Sequence, residues 1–145
     1  MDKIEAADSA GSPVPSPGFA RNPDHKITVR PFNGAVTVQF SSAVIASSKN
    51  AKVLKEADYP EVLYIPFDDI YFDFLRRSET TTHCPFKGDA TYWSVTAVGE
   101  SKSDVMWAYE HPYAEMVAIR NHGAFYPEKV DIEVVEQTET DRPIP

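Results

Sequence analysis

The sequence predicts a mainly β domain built of antiparallel strands with two short helices. Apolar side chains alternate with a period of two over most of residues 26–135, which is the pattern of strands with one buried face. Turn-forming residues separate these runs at short intervals, as at Asn33-Gly34 and Pro85–Gly88. Only two short stretches carry apolar residues at helical spacing, so strands dominate the prediction.

Length and charge set the limits on function. A chain of 145 residues suits one domain with a single core. Its net charge of −8, without any basic block, disfavours a nucleic-acid partner. The first residues resemble no signal peptide, and no apolar run approaches the roughly 20 residues that span a bilayer. We therefore expect a soluble cytoplasmic protein with neither a nucleic-acid nor a membrane partner.

The N-terminal stretch, residues 1–24, is rich in proline and serine and predicts a flexible arm. It contains few large apolar side chains to offset the entropy lost on ordering. Val14 and Phe19 are exceptions, and they leave open that the arm docks along the domain or on a neighbour. The folded domain is predicted over residues 25–136, followed by a loose tail over residues 137–145.

The first half of the domain predicts a meander of antiparallel strands. Asn33-Gly34 predicts a tight hairpin between the first two, because both residues tolerate positive φ. Proline ends the last strand of this half, at Pro66. The predicted strands cover residues 26–30, 35–40, 43–47, 53–56 and 62–65.

Two stretches change to helical spacing. Asp68–Arg77 has Ile70 and Phe74 four residues apart, a capping aspartate at its start and arginines at its end. A second helix is predicted from Pro112, at the favoured first position, to Gly123 as a left-handed cap. The remaining strands are predicted over residues 80–83, 90–98, 104–110 and 130–135.

The candidate site lies in residues 83–109, which contain both tryptophans and the only cysteine. Folding the predicted hairpin about Ser101 sets Trp93 opposite Tyr109. Because side chains alternate along a strand, Trp107 would then share their face. The sequence therefore predicts one wall of two indoles and a phenol.

This aromatic cluster has two interpretations. It is ordinary core, stabilised by cross-strand aromatic pairs, or it walls a pocket that holds a flat heterocycle or a cation. The indole N–H and phenol O–H groups need partners when buried, which favours a partly open site. Further candidate ligand-binding residues are Tyr92, Lys87, Glu56 and Ser47, with Lys87 as the partner for an anionic ligand group.

Cys84 and His83 are the candidate catalytic residues, as nucleophile and base. Neighbours on a strand point to opposite faces, which argues against a direct pair. His111 or His122 would then have to supply the base. An isolated cysteine before a turn is more typical of a small buried apolar residue.

No cofactor or metal is predicted. One cysteine and four scattered histidines lack the paired spacing of a zinc site. The sequence contains no phosphate-binding P-loop and no paired-glycine dinucleotide loop.

Several runs of the sequence occur together in the order and spacing of a known family. They are Ala43–Ser47 followed by Glu56, then Tyr64-Ile65-Pro66, His83–Gly88 with Ala90 and Tyr92-Trp93, Trp107-x-Tyr109-x-x-Pro112 and Ala124-Phe125-Tyr126. Over roughly residues 26–135 the chain thus resembles the microbial family labelled domain of unknown function 427, also filed under a nucleotidyltransferase-like heading.

The resemblance implies a fold of the Mss4-like, β-tent group, in which two antiparallel sheets meet at an angle. Several relatives carry a ligand groove between the sheets. Many also carry a zinc knuckle of paired cysteines, which this chain lacks, so no metal is carried over. The nucleotidyltransferase heading finds no support in the sequence, because a Gly-Ser loop followed by an Asp-x-Asp pair is absent.

Three functions follow as hypotheses. The first is a small-molecule binding domain with an aromatic-walled pocket. The second is a small-substrate enzyme that uses Cys84 or His83. The third is a structural or interaction role, with homodimerisation through an exposed sheet edge.

Overall fold

The computed structural model describes residues 12–137 of the chain, which form ten strands in two antiparallel sheets. One short helix, α1, precedes them at Pro17–Arg21. Single 3-10 turns lie at Phe67–Asp69 and Phe72–Phe74, and a longer 3-10 segment, kinked at Met116, lies at Ala114–Ile119. The strands are β1 Ile27–Pro31, β2 Gly34–Phe40, β3 Ala43–Ser48, β4 Lys52–Glu56, β5 Val62–Pro66, β6 Leu75–Cys84, β7 Gly88–Ala97, β8 Glu100–Ala108, β9 His122–Phe125 and β10 Asp131–Glu136.

The prediction of a mainly β, antiparallel fold is confirmed. A larger sheet has the strand order β1-β4-β5-β9-β8-β7-β6, and a smaller sheet has the order β10-β2-β3. A core of small and branched apolar side chains from both sheets lies between them, including Val38, Ile45, Val95 and Met106. A second apolar cluster lies on the other face of the larger sheet. No helix within the described residues is long and apolar enough to cross a membrane.

The predicted hairpin at Asn33-Gly34 is wrong. β1 pairs with β4 in the larger sheet, whereas β2 pairs with β3 and β10 in the smaller one. The chain crosses between the sheets at this point, and the backbone of Asn33 accepts a hydrogen bond of 2.9 Å from the N–H of Gln137. The tight turn with two positive φ values lies instead at Ser41-Ser42, between β2 and β3.

The helix predicted over Asp68–Arg77 is also wrong. Ile70 bridges to Ala46 of β3, and Leu75 pairs with Val95 of β7. Ile70 and Phe74 do pack into the core between the sheets. Ile70 reaches it from the bridge to β3 and Phe74 from the 3-10 turn Phe72–Phe74. Pairing with neighbouring strands satisfies backbone groups here in place of a helix.

The second predicted helix is reduced to the 3-10 segment Ala114–Ile119. Gly123 is not its cap but a residue of β9, paired with Ile65 and Ala108. The positive φ occurs at Asn121 (59°), two residues earlier. A Cβ at Gly123 would lie 2.5 Å from Met106 Sδ and 2.9 Å from Ile70 Cδ1, so the glycine is needed for close packing.

The N-terminal arm is docked in the part that the structure describes, which begins at Ser12. Ser16 is buried, and Phe19 packs against the second apolar cluster. The sequence had allowed docking through Phe19; Val14 is largely exposed, although its carbonyl accepts a hydrogen bond from the Ala114 N–H. The predicted flexible residues 1–11 and the tail beyond residue 137 lie outside the described residues.

Gly123→Ala is expected to destabilise the fold by about 1–3 kcal/mol, because the added methyl group overpacks the core against Met106 and Ile70. Urea unfolding followed by circular dichroism measures this change. The exposed substitution Ser101→Ala on β8 serves as the control and is expected to stay within about 0.5 kcal/mol. Equal stability of Gly123→Ala and the wild type would contradict the close packing at β9.

Candidate functional site

The central hairpin turns at Val98-Gly99, not at Ser101. Both turn residues have positive φ, 53° and 74°, as a two-residue hairpin requires, and Ala97 pairs with Glu100. The predicted pairing of Trp93 with Tyr109 is therefore wrong.

An irregularity between Trp93 and Val95 changes the register of β7 and β8 relative to the pairing next to the turn, where Val95 lies opposite Lys102. Beyond it, Tyr92 pairs with Trp107 and Trp93 pairs with Met106. Paired residues share a face of the sheet and neighbours alternate, so the two indoles lie on opposite faces.

Trp93 belongs to the core between the sheets. Its ring packs edge-on against Phe67 and Phe72, with centroids 5.9 and 6.0 Å away. The Arg77 guanidinium covers the ring at 4.7 Å from its centroid. For this tryptophan, the interpretation as core is the correct one.

Trp107, by contrast, lines a cavity of about 290 Å³ on the other face of the larger sheet. Side chains from β4, β5, β7 and β8 form its walls, together with the loop after β4, the turn before β7 and Tyr126 beyond β9. The lining residues are Leu54, Glu56, Tyr59, Pro60, Val62, Tyr64, Lys87, Tyr92, Trp107, Tyr109 and Tyr126.

The aromatic walls meet at angles and do not form a parallel slot. The Tyr64 ring is nearly perpendicular to the indole of Trp107, at 87°, and Tyr126 is tilted by 46° with its centroid 4.5 Å away. The Trp107 indole N–H donates a hydrogen bond of 3.2 Å to the Tyr64 hydroxyl. A hydrogen bond of 2.9 Å between the hydroxyl groups of Tyr92 and Thr82 holds the Tyr92 side chain in place.

Three of the phenols that line the cavity, those of Tyr64, Tyr109 and Tyr126, have raised pKa values and remain uncharged at physiological pH. Burial raises the pKa of Tyr64 and that of Tyr109 well above the ordinary phenol value. Burial, together with the neighbouring Tyr92 hydroxyl, raises the pKa of Tyr126 to about 12. A neutral phenol hydroxyl can both donate and accept a hydrogen bond, so these tyrosines can serve as donors or acceptors to a ligand.

An ion pair between a buried lysine and a partly buried glutamate supplies the charges at the cavity. Lys87 Nζ donates to Glu56 Oε1 at 2.7 Å, and His25 Nε2 lies 2.8 Å from Glu56 Oε2. Only 8% of Lys87 is exposed. Burial alone would raise the pKa of Glu56, but the hydrogen bonds from Lys87 and His25 outweigh it and lower that pKa.

Backbone geometry directs Lys87 inward. Its carbonyl accepts a hydrogen bond of 3.0 Å from the Tyr113 N–H, and the following Gly88 has a φ of 121°, a conformation that favours glycine. The Lys87 ammonium lies 6.0 Å from the centroid of the Tyr109 ring. Its Nζ also lies 3.9 Å from Cys84 Sγ.

The structure thus brings together Trp107, Tyr109, Tyr92, Lys87 and Glu56 of the predicted ligand-binding residues. Cys84 is half-buried beside them, packed against the second apolar cluster.

Three predicted residues lie elsewhere. Trp93 is in the inter-sheet core. Ser47 is exposed on β3 of the smaller sheet, opposite Thr37. His83 is exposed and hydrogen-bonded to Asp89 at 2.7 Å, so it neither lines the cavity nor pairs with Cys84.

Sequence reasoning missed the parts of the site that depend on pairing between distant strands. Tyr64 and Tyr126 reach the cavity because β9 joins β5 to β8. His25 reaches Glu56 because β1 pairs with β4, where Ile27 lies opposite Glu56. Alternation within β5 placed Tyr64 and Ile65 on opposite faces, but only the sheet order tells which face holds the cavity.

The arrangement suits binding by contact and hydrogen bonding. Within residues 12–137, no three histidine, cysteine or acidic side chains come together to hold a metal ion. The aromatic walls, neutral phenols and one ion pair are the groups available to a ligand.

Comparison with known proteins gives one family. The family model described as "Domain of unknown function (DUF427)" matches residues 28–136, which include all of the cavity residues. No curated protein matches the chain.

Glu56→Gln is expected to destabilise the protein by about 2–3 kcal/mol at pH 7, because the buried Lys87 ammonium loses its countercharge. Glu61→Gln is the matched control, since it removes an ion pair with Arg30 in which both side chains are more than half exposed. The control is expected to change stability by about 0.5 kcal/mol or less. Chemical denaturation of the three proteins measures the difference.

The effect of Glu56→Gln should depend on pH. The folded-state pKa of Glu56 lies below its ordinary value of 4.5. The carboxylate therefore stabilises the fold above pH 4.5, and this contribution is lost as the pH falls through the lowered pKa. The stability gap between wild type and variant should narrow in acid, and a gap that is constant with pH would contradict the assignment.

Proposed function

The chain belongs to the DUF427 family, a domain of unknown function, and we propose that it binds a small uncharged ring compound in the aromatic-walled cavity. The observation that carries the proposal is the ion pair of the buried Lys87 with the partly buried Glu56, 2.7 Å apart, beside the ring of Trp107 and the tyrosines.

The size of the cavity supports a ligand of about one ring. Its volume of about 290 Å³ lies at the lower end of the range of roughly 300–1,000 Å³ for small-molecule sites. Mostly apolar and aromatic walls with a few fixed polar groups are typical of such sites. Because the rings of Trp107 and Tyr64 are perpendicular, one of them can lie against the face of a ligand ring while the other contacts the edge of the ligand.

The charges support an uncharged ligand. The Lys87 ammonium already lies 6.0 Å from the centroid of Tyr109, within reach of a cation–π contact, so it opposes a ligand cation. Glu56 opposes an anion, because its carboxylate stays ionised at neutral pH. The pair has no net charge, and the phenols of Tyr64, Tyr109 and Tyr126, whose pKa values are raised, remain neutral as well. A neutral ligand is therefore desolvated at the lowest cost.

Hydrogen bonding supports an amide group on that ligand. An ammonium has three N–H donors; Lys87 uses one on Glu56 Oε1 and one on Cys84 Sγ, which leaves one for a ligand. Each carboxylate oxygen can accept more than one hydrogen bond. The pair thus presents a donor and an acceptor side by side, and an amide presents the complementary C=O and N–H.

Nicotinamide, nicotinate and 1-methylnicotinamide form a matched series of ring amide, anion and cation for a direct test. Fluorescence titration of the wild-type protein should show a shift with nicotinamide and an affinity at least about 10-fold weaker for each charged analogue. Binding of a charged analogue as tight as that of nicotinamide would contradict the uncharged class. A series in which none binds would remove the ligand class altogether.

The two single-tryptophan variants locate the response. Trp93→Phe leaves Trp107 as the only indole, and its emission should respond to nicotinamide. Trp107→Phe leaves only the indole in the inter-sheet core, which should stay silent. Circular dichroism checks that both variants fold. A response confined to Trp107→Phe would place binding on the wrong face of the sheet.

A nucleophilic role for Cys84 lacks comparable support. Among the described residues no histidine is hydrogen-bonded to its thiol, and His83 is engaged with Asp89. Cys84→Ser is therefore expected to keep nicotinamide affinity within about twofold of the wild type. Loss of binding in this variant, together with rapid alkylation of the wild-type thiol by iodoacetamide, would favour the enzyme hypothesis instead.

A further inference from the structure

The segment Ser16–His25, here called the clasp, grips the turn that carries Lys87. Ser16 is almost fully buried, and its hydroxyl donates to the carbonyl of Pro85 at 3.0 Å. The Gly18 N–H donates to the same carbonyl at 2.9 Å. The clasp is therefore attached to the backbone two residues before Lys87.

Aromatic contacts add to this attachment. The His25 imidazole stacks on the Phe86 ring with centroids 4.1 Å apart. Phe19 packs edge-on against Phe86, with ring centroids 5.0 Å apart. Phe86 directly precedes Lys87, so its position also fixes the approach of the lysine to the cavity.

The clasp also reaches the acidic partner. His25 Nε2 lies 2.8 Å from Glu56 Oε2, while Lys87 occupies Oε1 of the same carboxylate. Both members of the ion pair are thus positioned from one segment. The clasp lies outside residues 28–136 that match the family model.

We propose that the clasp is a positioning element of the cavity, and that its docking and ligand binding are coupled. This inference rests on the proposed function for its ligand-dependent part only. An undocked clasp would leave Glu56 with one hydrogen bond fewer and the Pro85–Lys87 turn without its cover. By linkage, a ligand that binds the docked form better must in turn stabilise docking.

Gly18→Ala tests the coupling. A Cβ at this position would lie 2.7 Å from the Pro85 carbonyl oxygen and 2.8 Å from the Phe86 ring, so the methyl group has to displace the clasp. Ala20→Ser is the control, an exposed change in the same helix. His25→Gln is a second variant that removes the stacking on Phe86 without crowding the backbone.

Two measurements are made on each full-length protein. Amide hydrogen exchange at position 18, whose N–H donates to the Pro85 carbonyl, reports docking, and it is expected to be faster in Gly18→Ala and unchanged in Ala20→Ser. Nicotinamide titration reports binding, and it is expected to weaken by about 10-fold in Gly18→Ala and His25→Gln. In the wild type, saturating nicotinamide should slow exchange at the clasp amides.

Unchanged exchange in Gly18→Ala, or faster exchange with wild-type affinity, would overturn the proposal. If the wild-type protein binds none of the nicotinamide series, the proposed function fails separately. The positioning role of the clasp is then tested by measuring the pKa of Glu56 by NMR. The Glu56 carboxylate is hydrogen-bonded to His25 and Lys87. A rise of that pKa in Gly18→Ala and His25→Gln supports the positioning role, and an unchanged pKa contradicts it.

Discussion

The pairing of β7 with β8 is the constraint on which the site depends. Because Tyr92 lies opposite Trp107 and Trp93 lies opposite Met106, one indole faces the smaller sheet and the other faces away from it. A register shifted by one residue would exchange these roles and send polar residues into the core. The turn at Val98-Gly99 and the irregularity after Trp93 together fix the observed pairing.

The two faces of the larger sheet consequently serve different purposes. The inner face is closed by the smaller sheet and by the phenylalanines around Trp93, which leaves it a packed core. The outer face is covered only in part, by the clasp and by the 3-10 segment Ala114–Ile119, and the cavity lies in the remaining gap. A buried lysine there is tolerated because Glu56 pairs with it, and Glu56 is held in turn by His25.

Local sequence patterns predicted the strands well and the partners of those strands poorly. Alternation identified the mainly β class, and the run from His83 to Tyr109 identified Lys87, Tyr92, Trp107 and Tyr109 as candidates. Asn33-Gly34 failed as a hairpin because β1 and β2 find different partners far along the chain. Trp93 was wrongly predicted to line the cavity, because the turn lies two to three residues earlier than predicted and this changes which positions share a face. His25 carries no local signal of its role, since its contact with Glu56 depends on the pairing of β1 with β4.

The most direct test of the central claim is a titration of the isotopically labelled protein with nicotinamide, followed through the two indole N–H signals in a nitrogen–proton correlation spectrum. The indole N–H of Trp107 is hydrogen-bonded to Tyr64 at the cavity, so its signal should move as the ligand binds. The signal of Trp93, buried on the opposite face, should stay in place. Movement of the Trp93 signal alone, or of neither signal at saturating ligand, would contradict the proposed site.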